Sequence, residues 1–367
     1  MAVYKIFPEK TATLFSYYPT MNTGLDEILE LSTFESIDIS NEVSRTLIKF
    51  PSSEISDIIT NKVSSSAFSC SLKMYLANAS EIPLDYTIYA HPLASNWNIG
   101  TGRVANLPIT TDGASWGFSQ ESGSGAWFNP LAFPSGQTGS YQSGSNIGGG
   151  LWYTSSQYEA SQSFTHTSTG DIELNITNII SASYTNKISN HGLVLKHSSS
   201  IEFTTASKFE TKYFSANTHT IYPPCLEIRW DDSIYSTGSL SVISNNLFVP
   251  SLGNNKGEFQ QDSVQRFRIN VRDKFPARVF QTSSVYLNNK ALPSTSYWSI
   301  KDLDSEEIVV DYDTTYTKIS CDTSGSYFDI YMNGLEPERY YKLLFKTVLT
   351  NSETVVSDNN YYFKVIR

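Results

Sequence analysis

The chain has 367 residues, of which 40% are hydrophobic and 13% aromatic, a composition that fills a core and excludes intrinsic disorder. Its net charge is −10, and its first 237 residues hold 12 basic against 21 acidic side chains, which argues against a nucleic-acid partner. No apolar run reaches the ~20 residues that span a bilayer, and the start, MAVYKIFPEKTATLF, lacks a signal-peptide pattern, so we predict no membrane partner.

The first distinctive segment is the loop SNWNIGTGRVANLP at residues 95–108, which holds two glycines, an arginine and a tryptophan. A phosphate-binding loop requires Gly-Lys-Ser/Thr, or a third glycine, at the start of a helix, whereas here Pro108 follows. We therefore interpret the loop as a structural connection. Gly100 and Gly102 permit its sharp turn, and Trp97 anchors it against the body of the protein.

Residues 119–163 are rich in glycine and serine, yet they contain several aromatic residues. A flexible linker does not need such rings, so we predict an ordered insertion that lies on the surface of a β-sandwich. Three tryptophans in or near this segment fall outside any alternating pattern: Trp116, Trp127 and Trp152. If the protein binds a sugar, these rings are the predicted stacking platform.

Apolar and polar residues alternate in many short segments, the pattern of half-buried antiparallel strands. Helical periodicity is nearly absent, and its best candidate is 177–189. Three of the predicted apolar strand faces are Ile172, Leu174 and Ile176; Leu226, Ile228 and Trp230; and Phe267, Ile269 and Val271. Many short strands with few helices predict an all-β protein.

The predicted domains follow from where this alternation weakens. We expect an N-terminal jelly-roll β-sandwich over 1–235, which carries the insertion at about 119–163. Turn dipeptides dominate 236–262, which we interpret as a linker or as bridging strands. Alternation resumes over 263–367, a length that suits one C-terminal Ig-like β-sandwich.

The residue types that carry catalysis do not form a recognisable constellation. The five histidines form no HExxH motif, and no nucleophile can be matched with a base, so we predict no catalytic residue, no metal and no cofactor. The acidic segment from Asp302 to Asp313 leaves two interpretations open: glycosidase acids or calcium ligands, or a solvated turn followed by a strand, which we favour. The three cysteines, Cys70, Cys225 and Cys321, lie in strand-like runs and predict buried thiols of a chain folded in a reducing cytoplasm.

The densest basic feature is the strand SVQRFRINVRDKFPAR. Its alternation places Arg266, Arg268 and Arg272 on one outward face. One interpretation is a solvated strand face. The other is an assembly interface that docks an acidic patch of a neighbouring protein or of a second copy, because the planar guanidinium pairs carboxylates bidentately.

Several phrases of residues 1–232 occur in a familiar order: TMNTGLDEILEL, RTLIKF, CSLKMYLANA, NWNIGTG, DIELNITNIISASYTNKISNHGLVLK and YFSANTHTIYPPCLEIRW. In this order they resemble the DNRLRE-type domain, a jelly roll similar to carbohydrate-binding modules. The positions that match the family pattern are Asn22 and Gly24; Trp97, Gly100 and Thr101; Ile176, Thr177 and Ile180; Asn190 and Gly192; and Ser215, Pro224, Leu226 and Ile228.

Three further phrases, MAVYKIFPEK, NASEIPLDYTIYAHPL and YFDIYMNGLEPERYYK, resemble virion structural proteins of contractile-tailed phages that infect marine cyanobacteria. The resemblance implies a non-enzymatic component of the neck, tail, baseplate or fibre apparatus. Its expected location is the virion, after synthesis in the host cytoplasm, and its expected partners are other virion proteins and further copies of itself. The alternative is a module that binds or cleaves a host-surface glycan.

Overall fold

The structure is a computed structural model, which describes residues 2–35, 41–63, 67–128, 135–140, 148–202, 209–276 and 289–367. Strands account for 47% and helices for 9% of the described residues. The all-β β-sandwich prediction is therefore confirmed. Chain contacts divide the protein into two compact units. We call Ile6–Lys62 with Ser69–Glu227 the N-terminal unit, and Met1–Lys5, Val63–Phe68 and Ile228–Arg367 the C-terminal unit.

The strands of the first part of the chain are β1 (Ala2–Ile6), β2 (Lys10–Phe15), β3 (Ile28–Glu35), β4 (Asn41–Lys49), β5 (Phe68–Met74), β6 (Leu76–Ser80), β7 (Asp85–Pro92), β8 (Gln137–Ser140), β9 (Gly148–Tyr153), β10 (Ala160–Thr165), β11 (Ile172–Asn175), β12 (Leu193–His197), β13 (Phe209–Phe214) and β14 (Cys225–Trp230). Eight of them form one antiparallel sheet of the N-terminal unit, in the order β10-β7-β12-β4-β3-β13-β6, with β2 paired to β4. In the same unit β5 pairs with β11, and β8 pairs with β9.

Short helices connect these strands: α1 (Ser52–Asp57), which continues into a π-helical turn at Ile58–Val63, α2 (Thr177–Tyr184) and α3 (Ser199–Glu202). Helix α2 occupies the first part of the predicted helix 177–189. Asn175 Oδ1 accepts the Thr177 N–H at its start, and Asn186 adopts a left-handed φ of 57° just beyond its end. The observed helix is shorter than predicted because this backbone conformation stops it.

The C-terminal unit contains β15 (Phe248–Gly253), β16 (Glu258–Gln260), β17 (Val264–Asp273), β18 (Ser296–Asp302), β19 (Ile308–Val310), β20 (Ser320–Asp322), β21 (Gly325–Tyr331), β22 (Tyr340–Val348) and β23 (Thr354–Ile366). They form a sheet in the order β15-β17-β21-β20 and a second sheet in the order β16-β23-β22-β18-β19. The two sheets share one apolar core, in which Phe267 and Trp298 both stack on Phe328 with centroids 5.5 Å apart. The predicted inward face of β17 is buried: Phe267, Ile269 and Val271.

Two strands of this sandwich come from 236–262, the segment interpreted as a linker or bridging strands. Strand β15 pairs antiparallel with β17, and β16 pairs parallel with β23. The alternation of β15 is hard to recognise because Pro250 and Gly253 interrupt it, although Phe248 and Pro250 are buried. The cysteines match their prediction, since Cys70, Cys225 and Cys321 are all buried thiols.

Candidate functional site

A buried ion cluster lies in the N-terminal unit, where Arg45 of β4 meets Glu202 at the end of α3. The guanidinium donates to both carboxylate oxygens, from Nε to Oε1 at 2.9 Å and from Nη2 to Oε2 at 2.8 Å. Both side chains are completely buried. Arg45 Nη1 also donates to the Gly149 carbonyl at 2.9 Å, and Lys196 Nζ lies 3.5 Å from Glu202 Oε2. This cluster joins residues from four separate parts of the chain.

Local sequence explains how Arg45 enters the core. In VSRTL, Val43, Arg45 and Leu47 share one face of β4, so alternation points the arginine inward with its apolar neighbours. Gly149 has a φ of 75°, and a Cβ there would lie 2.7 Å from Arg45 Nη1 and 2.8 Å from the Trp116 ring. A glycine is required at this position because the arginine and the ring occupy the space of any side chain.

Two of the three tryptophans predicted as a sugar platform line this cluster instead, and the third is buried in the same apolar core. Trp116, Trp127 and Trp152 are 1%, 3% and 7% exposed. The Arg45 guanidinium carbon lies 4.9 Å from the Trp116 ring centroid and 5.3 Å from that of Trp152, while Trp127 Nε1 donates to Ser115 O at 2.8 Å. The expectation that these rings stack on a sugar is corrected, because all three are folded into the core and offer a ligand no open face.

Burial controls the ionisation of the cluster. It lowers the pKa of His91 to about 4, with further repulsion from Lys196, and it lowers the pKa of His197 to about 4. Burial alone would raise the pKa of Glu202, but attraction to Arg45 and Lys196 holds that pKa below its ordinary value. The two histidines are therefore neutral at neutral pH, and burial also lowers the pKa of the Lys196 ammonium.

This cluster is closed to solvent, so we interpret it as a structural element that fixes how β4, β9 and α3 meet. Within the described ranges, no group of three or more His, Cys, Asp or Glu side chains is placed to hold a metal ion. Substrate access, which a catalytic site needs, is missing at Arg45 and Glu202 because neither side chain has exposed surface.

The acidic segment from Asp302 to Asp313 contains the short strand β19, with a turn before it and another after it. Both Asp302 carboxylate oxygens accept hydrogen bonds from Arg339 at 2.6 Å, and Oδ1 also accepts the Ser305 N–H at 2.9 Å. Asp313 Oδ1 accepts the Tyr316 N–H at 2.8 Å. The turn followed by strand β19 agrees with the favoured interpretation of this segment, except that Asp302 is 4% exposed and paired with Arg339, so this carboxylate is buried and not solvated.

The loop at 95–108 is structural, as predicted. Trp97 is fully buried, and its Nε1 donates to His191 O at 2.9 Å. Gly100 has a φ of 71°, and a Cβ there would lie 2.4 Å from Asn22 Oδ1. The Asn22 amide in turn donates to Ile99 O at 2.8 Å. The glycine is therefore needed for close approach to an asparagine that holds the loop, with no role in phosphate binding.

The predicted basic face of β17 already has carboxylate partners. Arg266 Nε and Nη2 both donate to Asp329 at 2.8 Å, and the Arg268 guanidinium donates to Asp322 at 2.9 and 2.7 Å. Arg272 Nη1 donates to the main-chain carbonyl of the next residue at 3.1 Å. The acids lie on β21 and β20, so neighbouring strands relieve the charge repulsion that otherwise requires an external partner. The assembly role of this face stays a prediction.

Sequence reasoning missed an open cleft that lies where β2 ends and encloses about 180 Å³. Tyr17 and Tyr18 follow β2 in a turn closed by the Tyr18 N–H, which donates to Phe15 O at 3.2 Å. They are 57% and 44% exposed, and their rings meet edge to face with centroids 4.7 Å apart. The other walls include Ser16, Ser32, Glu42 and Val43. The available signal was FSYYPT, two adjacent tyrosines between an alternating strand and a proline.

No protein-family model matches this sequence, and no curated protein matches it at a significant level. In the part of the chain that the structure describes, helices are too short or too polar to cross a bilayer.

Proposed function

We propose that this chain is a non-enzymatic structural protein of a phage virion that acts through protein–protein contacts. Support comes from the phrases that resemble virion proteins of contractile-tailed phages. It also comes from one surface loop of the N-terminal unit, which carries the proposal. The expected partners are other virion proteins and further copies of the chain.

The loop at 95–108, together with the residue that follows it, exposes three large apolar side chains within six residues. Val104, Leu107 and Ile109 are 50%, 92% and 39% exposed. Single exposed apolar side chains are ordinary on a protein surface, but a local group of them is typical of an interaction site. Hydrogen bonds fix the same loop to the rest of the unit, from Trp97 Nε1 to His191 O and from the Asn22 amide to Ile99 O. Its exposed apolar side chains therefore lie on an ordered backbone.

The test is incorporation of a triple variant, Val104→Ser, Leu107→Ser and Ile109→Ser, into particles of the phage that encodes the chain. We expect the purified variant to keep its thermal unfolding temperature, because surface changes usually cost less than about 0.5 kcal/mol. Its amount per particle, measured by quantitative mass spectrometry, should fall severalfold.

The matched control is Leu84→Ser, since Leu84 is a 75% exposed side chain outside this loop and should incorporate normally. Normal incorporation of the triple variant would contradict the role of the loop. Absence of the unmodified chain from purified particles would contradict the virion proposal itself.

A further inference from the structure

The cleft at the end of β2 differs from every tryptophan site considered above, because its aromatic rings are open to solvent. Tyr17 and Tyr18 are about half exposed, whereas Trp116, Trp127 and Trp152 lie in the core. We propose that this cleft binds a single pyranose ring of a saccharide, with Tyr17 and Tyr18 as stacking surfaces and Glu42 as a hydrogen-bond acceptor. This inference does not depend on the virion proposal.

The floor of the cleft is rigid. Ser16 Oγ accepts the Val43 N–H at 2.8 Å, which continues the pairing of β2 with β4 past the end of the strand. Ser32 Oγ lies 2.8 Å from Ser44 Oγ on the neighbouring strand. A ligand therefore meets a preformed surface, so binding costs less free energy than it would if these side chains first had to become ordered.

Hydrogen-bonding capacity remains at the rim. The Ser16 and Ser32 hydroxyls already make hydrogen bonds within the sheet, whereas Tyr17 and Tyr18 are about half exposed and line the cleft together with Glu42. A carboxylate accepts from two neighbouring hydroxyls, and a phenol both donates and accepts. A ligand with several adjacent hydroxyl groups uses all of these groups.

The aromatic geometry and the volume match one sugar ring. A pyranose has an apolar C–H face that stacks on an aromatic ring, while its hydroxyls point outward. The cleft volume of about 180 Å³ is smaller than the roughly 300–1,000 Å³ of pockets for drug-sized ligands, which limits the ligand to about one small ring. A quaternary ammonium ion also favours aromatic walls, but it has no donor for the carboxylate or the phenols.

The experiment is saturation-transfer NMR on the full chain with methyl pyranosides of glucose, galactose, mannose and N-acetylglucosamine, followed by titration of any binder. We expect at least one to bind with millimolar affinity. Tyr17→Ala and Tyr18→Ala should each weaken that binding about tenfold, since stacking on one ring contributes about that factor. Tyr17→Phe should keep most of the affinity because it keeps the ring, and Glu42→Ala should weaken binding more than Glu42→Gln.

The control is Tyr184→Ala, because Tyr184 is a 38% exposed tyrosine of the same unit that lies in α2, away from the cleft residues in sequence. Its affinity should equal that of the unmodified chain. Failure of all four pyranosides to bind, an affinity of both tyrosine-to-alanine variants equal to that of the unmodified chain, or binding of tetramethylammonium in place of the sugars would overturn the proposal. Unfolding temperatures of the variants separate lost binding from lost structure, and Tyr17→Phe supplies a conservative variant.

Discussion

The Arg45–Glu202 pair of the N-terminal unit and the Arg266–Asp329 pair of the C-terminal unit have almost the same geometry. Each is a bidentate contact in which Nε and Nη2 donate to the two carboxylate oxygens at 2.8 to 2.9 Å. Their surroundings differ completely. The first pair has no exposed side-chain surface, whereas Arg266 is 49% and Asp329 21% exposed.

Geometry alone therefore does not reveal what a charged pair contributes. A buried pair is expensive to form, because both ions leave water, and its loss is costly because the remaining ion has no solvent to replace its partner. In an exposed pair, water and dissolved ions compete with each partner, so the net contribution of the pair to the free energy of unfolding is small. The three predictions that follow test this contrast, in order of decreasing effect.

Removing the charge of Glu202 should give the largest effect. Glu202→Gln keeps the size of the side chain but leaves Arg45 fully buried and Lys196 almost so, without their carboxylate. We expect the free energy of unfolding to fall by about 3–5 kcal/mol. Urea unfolding followed by tryptophan fluorescence measures the change, and a loss below about 1 kcal/mol would show that burial does not set the cost.

The buried histidines should give an intermediate, pH-dependent effect. The pKa of His197 is about 4 in the folded protein and about 6.5 when unfolded, so the unfolded chain takes up a proton first as the pH falls. Stability should therefore be lost between pH 6.5 and pH 4. The loss due to His197 is about 2 kcal/mol at pH 5, since the pH then lies about 1.5 units below the unfolded value.

The measurement is the difference in unfolding free energy between pH 7 and pH 5, compared for the unmodified chain and His197→Gln. The variant should lose about 2 kcal/mol less over this interval, whatever its stability at pH 7. His166→Gln is the control, because His166 is exposed in the turn after β10 and should leave the pH dependence unchanged. Identical pH dependence in all three chains would contradict the assignment.

The exposed arginines should give the smallest effect on stability. Arg266→Gln with Arg268→Gln should cost less than about 1 kcal/mol per pair, and the cost should shrink as salt is added. Glutamine is preferable to glutamate because a glutamate would lie beside Asp329 or Asp322 and add repulsion. Incorporation of the double variant into particles is the second readout. If the face docks a partner, incorporation should fall, and if the face is only solvated, incorporation should be unchanged.

Strand formation was readable from the sequence because it depends on short-range alternation. The predicted apolar face of DIELNIT is buried at Ile172, Leu174 and Ile176, and that of RFRINVR is buried at Phe267, Ile269 and Val271. The same rule places Arg45 on one face of β4 with Val43 and Leu47, but both faces of this strand are buried, so alternation alone does not mark the arginine. Alternation predicts which side of a strand is buried, and it contains no information about the partner across the core.

Only the tertiary structure decided which side chains meet. Arg45 and Glu202 are 157 residues apart, and Arg266 and Asp329 are 63 apart, so no local pattern links them. Trp116, Trp127 and Trp152 lie in or beside a glycine- and serine-rich segment without periodicity, where the sequence cannot distinguish a buried ring from an exposed one. The burial of Trp116 beside Arg45 requires the space that Gly149 leaves, a property of packing between distant segments.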